Sequence, residues 1–139
     1  MTALHQATGV AIGGRGLLIE GAPGTGKTSL ALALIDRGAV LIGDDGVALT
    51  ASDHRLWASP APATEGLIEV RNVGILRRPC VSHVPVALVI RLDADAPRYV
   101  EQAETCAIQG IALPLIRLWP DTPVLAIRAE LALERHGLA

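Results

Sequence analysis

The 139-residue chain contains no phenylalanine, and its only aromatic residues are two tryptophans and one tyrosine. Proteins that bind single-stranded nucleic acid stack the bases on aromatic side chains, and this chain has almost none to offer. Its formal net charge of −2 at pH 7 also excludes a large basic surface. We therefore expect no nucleic-acid partner, and a core built from aliphatic side chains.

Long apolar runs and paired cysteines are also missing. No run approaches the roughly 18–20 residues that cross a bilayer, and the amino terminus lacks the basic and apolar regions of a secretory signal. Cys80 and Cys106 form no CxxC pair, which is typical of reduced thiols in a cytosolic protein, although their spacing alone leaves a disulfide open. We expect a cytoplasmic protein without a membrane partner.

Half of the residues are hydrophobic and 19% are charged, a composition typical of one folded domain. Short aliphatic runs separated by glycine and proline predict strands at 8–12, 17–20, 40–42, 47–50, 55–58, 67–70, 84–92 and 113–118. Helical spacing predicts helices at 28–37 and 123–136. The excess of strands, with one strand–loop–helix–strand unit near the front, indicates an α/β domain with mixed strand directions.

The chain has one lysine, and it lies in a glycine-rich segment with the sequence Gly21-Ala22-Pro23-Gly24-Thr25-Gly26-Lys27-Thr28. This segment, called the phosphate loop below, matches the pattern G-x-x-x-x-G-K-[ST]. Its glycines let backbone N–H groups converge on a phosphate, the lysine adds a mobile positive charge, and the threonine hydroxyl is a hard ligand for Mg²⁺. A chance glycine turn would match in roughly one random chain in a hundred, and the flanking strand and helix favour a true phosphate site.

Asp44 and Asp45 follow the predicted strand at 40–42, and Asp45 is 17 residues beyond Thr28. In a βαβ unit this strand end lies at the same sheet edge as the phosphate loop. One carboxylate there can hold Mg²⁺ through water, and the other can accept a proton from an attacking hydroxyl. The alternative is an Asp-Gly turn without chemistry, which the position behind the loop disfavours.

Glu69 and Arg71 lie on one face of the predicted strand at 67–70 or its extension, because side chains alternate along a strand. Pattern alone slightly favours an ion pair on a solvated surface over a functional role.

In their order and spacing these segments resemble the catalytic domain of HPr kinase/phosphorylase. The resemblance covers residues 4 to 76 well and the remainder loosely, and it rests on 5–7, 21–28, 30–32, 37–38, 44–45 and 68–75. It implies a phosphate-loop domain with a mixed sheet and few helices, similar to phosphoenolpyruvate carboxykinase. It also implies one catalytic domain over residues 1–139, without the amino-terminal domain usual in the family, as in the short form typical of α-proteobacteria.

The implied activity is that of an ATP- and Mg²⁺-dependent serine kinase. Such enzymes phosphorylate a seryl hydroxyl of HPr, a small phosphocarrier protein of the phosphotransferase system. They also remove that phosphate with inorganic phosphate and release pyrophosphate. The family forms homo-oligomers, commonly hexamers, so an HPr-like carrier and further copies of the chain are the expected partners.

The resemblance also implies a role for each matched residue. Asp45 matches the proton acceptor of the kinase reaction, which donates the proton in the reverse direction, and Asp44 is its partner. Lys27 matches the lysine that contacts phosphate. Thr28 and Glu69 match the Mg²⁺-binding hydroxyl and the second magnesium carboxylate.

Two further catalytic matches are looser. His5 corresponds to a histidine upstream of the phosphate loop, although pattern alone would place it in solvent. Arg98 corresponds to a later arginine of the family. The chain departs from the family at Asn72, where a glycine is usual, and a Gly-Arg-Asn loop linked to dephosphorylation has no counterpart near 119–123. Asn is the best substitute for glycine if that position has a positive φ.

Two other functions remain open at this point. One is a generic phosphate-loop kinase of small molecules, which leaves the Glu69–Arg71 segment unexplained. The other is a non-catalytic ATP-binding sensor, which Asn72 and the missing loop leave open. The basic pair Arg77-Arg78 either contacts an acidic carrier or, more in keeping with such pairs, forms a solvated turn.

Overall fold

The computed structural model describes all residues from 1 to 139. Its elements in chain order are β1 (Thr2–His5), β2 (Thr8–Ile12), β3 (Arg15–Glu20), α1 (Lys27–Asp36), β4 (Val40–Gly43), β5 (Val47–Ser52), β6 (Arg55–Pro60), a 3₁₀ turn (Pro62–Thr64), β7 (Leu67–Val70), β8 (Gly74–Arg77), β9 (Val84–Leu92), β10 (Glu104–Ile108), β11 (Ile111–Leu118) and α2 (Leu125–His136). The prediction of a mixed sheet with few helices is confirmed.

Nine strands form one sheet, with β7 and β8 as a separate hairpin. The order along the main path is β1-β5-β6-β9-β3-β2-β4. The long strand β9 pairs in parallel with β3 and β11 and antiparallel with β6, while β10 pairs with β11. The sheet is therefore mixed, with its parallel part centred on β9.

Strands β3 and β4 are not neighbours, because β2 lies between them and is antiparallel to both. This arrangement differs from a simple βαβ unit, in which the two strands are neighbours. Because β2 is antiparallel to both β3 and β4, these two strands are parallel to each other. Strands β3 and β4 thus run the same way and end at the same sheet edge, where the phosphate loop and Asp44 follow them. The phosphate loop and the Asp44–Asp45 turn therefore lie at the same sheet edge, as expected, although β2 separates the two strands.

The aliphatic core occupies both faces of the central strands. Leu17 and Ile19 belong to a buried cluster shared with α1 and α2, whereas Leu18 belongs to a second cluster shared with β5, β6 and β11. Because side chains alternate along a strand, a strand buried on both faces has a continuous apolar sequence. This burial fixes the position of the residues that follow β3.

Three strands escaped the sequence prediction: β1, β8 and β10. All three are largely exposed, without a buried residue. Their sequences therefore lack the alternation that identifies a strand with one buried face. They form strands by backbone pairing with a neighbouring strand, as β1 does with β5.

No helix of the structure has the length and apolar character needed to cross a membrane. Cys80 and Cys106 are free thiols, each partly buried. The two cysteines thus form no disulfide with each other.

Candidate active site

The phosphate loop connects β3 to the first turn of α1. Gly24 and Gly26 have φ values of 80° and 97°, a conformation that glycine adopts without the penalty of a side chain. Gly26 is the N-cap of α1, so no side chain caps the first-turn N–H groups. Uncapped N–H groups at the positive end of a helix dipole are suited to bind an anion.

Lys27 lies half-buried near the carboxyl-terminal end of the phosphate loop. Its Nζ donates a hydrogen bond to the Gly21 carbonyl at 2.9 Å, and the Thr25 hydroxyl donates to the Ala22 carbonyl at 2.7 Å. These two bonds shape the loop without a ligand. A phosphate oxygen can replace the carbonyl as the partner of the ammonium group, and it brings a charge that the carbonyl lacks.

Asp44 joins three separate segments of the chain. Its Oδ1 accepts hydrogen bonds from the Thr28 hydroxyl at 2.7 Å and from the Thr8 hydroxyl at 3.4 Å, while its Oδ2 accepts one from the Glu69 backbone N–H at 3.0 Å. This carboxylate thus ties α1, β2 and β7 together. The predicted Asp44, Thr28 and Glu69 lie side by side, although Asp44 is 16 residues from Thr28 and 25 residues from Glu69 in sequence.

Asp45 differs from Asp44 in exposure and partners. Its backbone has a φ of 56° and its N–H donates to the Thr8 hydroxyl at 3.2 Å. The turn is tight, since a Cβ on Gly43 would lie 2.4 Å from the Gly46 carbonyl oxygen. The Asp45 carboxylate is exposed, accepts no hydrogen bond and borders a polar cavity beside the phosphate loop. It is therefore available to an incoming group.

A polar cavity of about 420 Å³ lies between the phosphate loop, the Asp44–Asp45 turn and β7. Only two of its 13 lining residues are hydrophobic. Lys27 and Arg71 bring positive charge to it, and three carboxylates bring negative charge. Such a lining matches a phosphorylated ligand with a metal ion and a hydroxyl beside it.

The structure contains no group of three or more His, Cys, Asp or Glu side chains that could hold a metal by themselves. Thr28, Asp44 and Glu69 all line the polar cavity and carry oxygens that are hard donors. Mg²⁺ characteristically binds one or two carboxylates and completes its shell with water and substrate phosphates. This donor set therefore fits Mg²⁺ carried in with a nucleotide better than a permanent metal centre.

His5 lies next to the start of the loop in an ion-pair network. Its Nε2 is 2.9 Å from Oε2 of Glu20, and Arg91 donates to Oε1 of the same carboxylate at 2.8 Å. Glu20 directly precedes Gly21, so this network fixes the point where the loop leaves β3. His5 borders a cleft on the other side of the loop rather than the polar cavity.

The Glu20 network predicts a pH-dependent contribution to stability. Burial alone raises the pKa of the Glu20 carboxyl, but hydrogen bonds and charge from Arg91 and His5 outweigh it and hold the pKa below its ordinary value of 4.5. The folded state then binds fewer protons than the unfolded state in this range. Glu20 therefore contributes its full stabilisation at pH values above the ordinary pKa of a glutamate carboxyl. This contribution is lost as the pH falls through the lower pKa that Glu20 has in the folded protein. Urea titrations from about pH 7 to 3 should show a gap in free energy of unfolding between wild type and Glu20→Gln that closes on acidification. A gap that stays constant with pH would contradict this assignment.

Arg98 lies away from these residues. It lines a separate cleft between the segment after β9 and helix α2, together with Trp119 and Arg128. Trp119 donates from Nε1 to the Ala96 carbonyl at 2.7 Å, and the Arg128 guanidinium lies 5.7 Å from the Trp119 ring centroid. Within one copy of the chain Arg98 does not border the phosphate-loop cavity, and its catalytic role stays a prediction.

Asn72 occupies the position where the resembling family has glycine. Its φ is 69°, the left-handed conformation that asparagine tolerates better than most other residues. The condition under which asparagine is the best substitute for glycine, a positive φ, is therefore met at this position.

Thr8 belongs to the candidate site by its contacts, although the sequence analysis did not identify it. It is fully buried, and its hydroxyl bridges the two aspartates by donating to Asp44 and accepting from the Asp45 N–H. It is the one buried polar residue of the core. A lone threonine at the start of an apolar strand is the only sign of this role in the sequence.

Thr8→Val is expected to lower the free energy of unfolding by about 1–2 kcal/mol, because the Asp45 N–H loses its partner while the shape of the side chain is kept. Urea denaturation measures this change. Thr50→Val is the matched control, since its hydroxyl bonds only to Thr2 on the exposed side of β5, and it should cost less than about 0.5 kcal/mol. Equal losses in the two variants would show that the bridge contributes no stability.

The chain is similar to known proteins in both sequence and structure. The family model described as the HPr Serine kinase C-terminal domain matches residues 1–82. HPr kinase/phosphorylase from Streptococcus pneumoniae strain Hungary19A-6 is 34% identical over 118 residues, which are 76% of this chain and 38% of that protein. The protein of the same name from strain 70585 gives the same values. The chain thus spans well under half of the length of these curated relatives.

The structure is also similar to a solved one. The Hpr(Ser) kinase/phosphatase from Coxiella burnetii superimposes with a TM-score of 0.83 at 28% identity, over 95% of this chain and 89% of that chain. The agreement extends through the carboxyl-terminal part, which the family model does not match. These comparisons confirm the resemblance on which the residue roles were predicted.

Proposed function

The chain belongs to the HPr kinase C-terminal domain family, and from this premise we propose that it transfers the γ-phosphoryl group of ATP to a seryl hydroxyl of an HPr-type phosphocarrier protein. One observation carries the proposal. The phosphate loop, the Asp44 carboxylate bonded to its Thr28, and the unpartnered carboxylate of Asp45 border the same polar cavity. Phosphoryl transfer needs these three parts at one place: an anion cradle, ligands for a metal and a proton acceptor.

The loop and Lys27 bind the phosphates. The first-turn N–H groups of α1 face the anion, and the ammonium group offsets charge on the transferred group. Thr28, Asp44 and Glu69 are the residues that would hold Mg²⁺, directly or through water. When bound, Mg²⁺ neutralises negative charge on the β- and γ-phosphate oxygens.

Asp45 accepts the proton of the seryl hydroxyl. As the seryl oxygen bonds to the γ-phosphorus, the bond from that phosphorus to the bridging oxygen breaks, ADP leaves, and the seryl proton passes to the Asp45 carboxylate. In the reverse sense inorganic phosphate attacks phosphoserine, pyrophosphate forms, and the protonated Asp45 returns the proton to the seryl oxygen. His5 acts outside this transfer, by fixing Glu20 and the start of the loop.

The proposal includes assembly into a homo-oligomer, with a hexamer expected from the family, and a cytoplasmic location. Neither follows from a single copy of the chain. Sedimentation velocity of the purified protein measures the oligomeric state directly. A monomer at micromolar concentration would contradict that part of the proposal and leave the catalytic assignment untouched.

The decisive experiment incubates the purified protein with γ-labelled ATP, Mg²⁺ and an HPr-type carrier. Label on a carrier serine, absent when that serine is replaced by alanine, is the expected result. Label on a metabolite would identify a small-molecule kinase, and ATP binding without transfer would identify a sensor. Phosphate added afterwards, with an assay for pyrophosphate, tests the reverse reaction separately.

A further inference from the structure

The β7–β8 hairpin has two faces of opposite character. On its inner face Ile68 is 1% exposed, pairs with Leu76 and anchors the hairpin to the body of the protein. On its outer face Glu69 pairs directly with Ile75, and Leu67 pairs with Arg77. Because directly paired residues project to the same side of a sheet, Glu69, Ile75 and Arg77 share this outer face.

The outer face continues the phosphate-loop cavity onto the surface. Glu69, Val70 and Arg71 line the cavity, and the hairpin then projects beyond it. Val73 at the turn and Ile75 on the returning strand are each 67% exposed. These two β-branched side chains are therefore largely in solvent, whereas the buried Ile68 attaches the hairpin.

The charge of the hairpin is positive and unneutralised. Arg71, Arg77 and Arg78 are exposed, and none of them forms an ion pair with a carboxylate. The only hydrogen bond from their side chains runs from Arg78 to the neighbouring Arg77 carbonyl. These guanidinium groups are therefore free to meet carboxylates of another molecule.

We infer that the outer face of this hairpin, formed by Arg71, Val73, Ile75 and Arg77, is the docking surface for the protein that presents the seryl hydroxyl. The inference rests on the proposed function and names the chemistry of the partner: a folded protein with apolar side chains next to the serine and carboxylates around them. Apolar contacts surrounded by charged groups are the usual composition of a transient interface. Docking here places the seryl oxygen at the mouth of the cavity that holds Asp45.

The test uses Val73→Thr/Ile75→Thr, which keeps β-branched residues in the hairpin and removes two apolar side chains. We expect kcat/KM for the carrier to fall about tenfold or more, which is about 1.4 kcal/mol, while the Kd for ATP stays within twofold. Val40→Thr is the matched control, because Val40 is exposed at the start of β4, at the opposite end of that strand from Asp44. Arg77→Gln should raise KM at low salt and weaken its dependence on ionic strength. Unchanged kcat/KM in the double variant would overturn the inference.

Carrier binding, measured by calorimetry with a nonhydrolysable ATP analogue present, separates this inference from the proposed function. If the wild type binds the carrier and the double variant does not, the docking surface is supported even when no phosphate is transferred. If the wild type transfers phosphate and both proteins bind the carrier equally, the proposed function stands and the docking surface is wrong. If the wild type neither binds nor phosphorylates the carrier, both fail.

Discussion

Replacement of Asp45 by asparagine is expected to lower the rate of phosphoryl transfer to the carrier by about 10³-fold, the order that a positioned general base contributes. The amide retains the size of the carboxylate but cannot accept the seryl proton. The Kd for ATP should stay within about threefold, because the loop and Lys27 make the phosphate contacts. Single-turnover transfer and calorimetry measure the two quantities independently.

The structure indicates that this substitution leaves the turn intact. Asparagine accepts the left-handed backbone of Asp45, whose φ is 56°, and the bond to the Thr8 hydroxyl comes from the main chain. Asp53→Asn is the matched control, since Asp53 is also exposed at a positive φ, in the β5–β6 turn. Transfer by Asp45→Asn at the wild-type rate would show that another group accepts the proton. Loss of ATP binding in this variant would show that Asp45 contributes to the nucleotide site instead.

Replacement of Lys27 by methionine should weaken ATP binding about 100-fold and reduce transfer below detection. A strong charge-assisted hydrogen bond contributes roughly 3 kcal/mol. Each tenfold change in affinity corresponds to about 1.4 kcal/mol, so the loss of this bond corresponds to about 100-fold weaker binding. Lys27→Arg should not restore function, because a planar guanidinium does not replace a compact ammonium in a narrow loop. Calorimetry with ATP measures both variants. Binding by Lys27→Met within a few-fold of wild type would contradict the role of the loop.

The composition of the chain offers an independent check on Lys27. It is the only lysine among 139 residues, so an amine-reactive reagent can modify only this side chain and the terminal amino group. Bound ATP should protect Lys27 and leave the terminus reactive, as read by mass spectrometry. Equal modification with and without ATP would show that the nucleotide does not contact the ammonium group.

Sequence reasoning located the parts of the site whose chemistry is local. The phosphate loop depends on glycine and lysine at fixed spacing, and the Asp44–Asp45 turn follows a recognisable buried strand. Their juxtaposition was predicted from a βαβ unit, and it holds although β2 lies between the two strands. The prediction succeeded because direction, rather than adjacency, decides which strand ends share an edge.

Other features depend on contacts that no local pattern encodes. Thr8 bridges two aspartates more than 35 residues away, so its role exists only in the folded chain. Strand β8 has no buried residue, and its sequence therefore has no periodicity to detect. Arg98 was assigned by resemblance in the part of the chain where the resemblance is loose, and the structure places it in another cleft.

The position of Asp44 offers a route by which the two substrates of the proposed reaction can influence each other's binding. One of its oxygens is bonded to the helix that follows the phosphate loop, and the other is bonded to the backbone of the hairpin. We expect a ligand that alters the first bond to alter the restraint on the second. Such coupling is reciprocal. If a bound nucleotide changes the affinity of the hairpin for a second molecule by some factor, that molecule changes the affinity for the nucleotide by the same factor. The two binding events are therefore expected to be cooperative, whichever ligand arrives first.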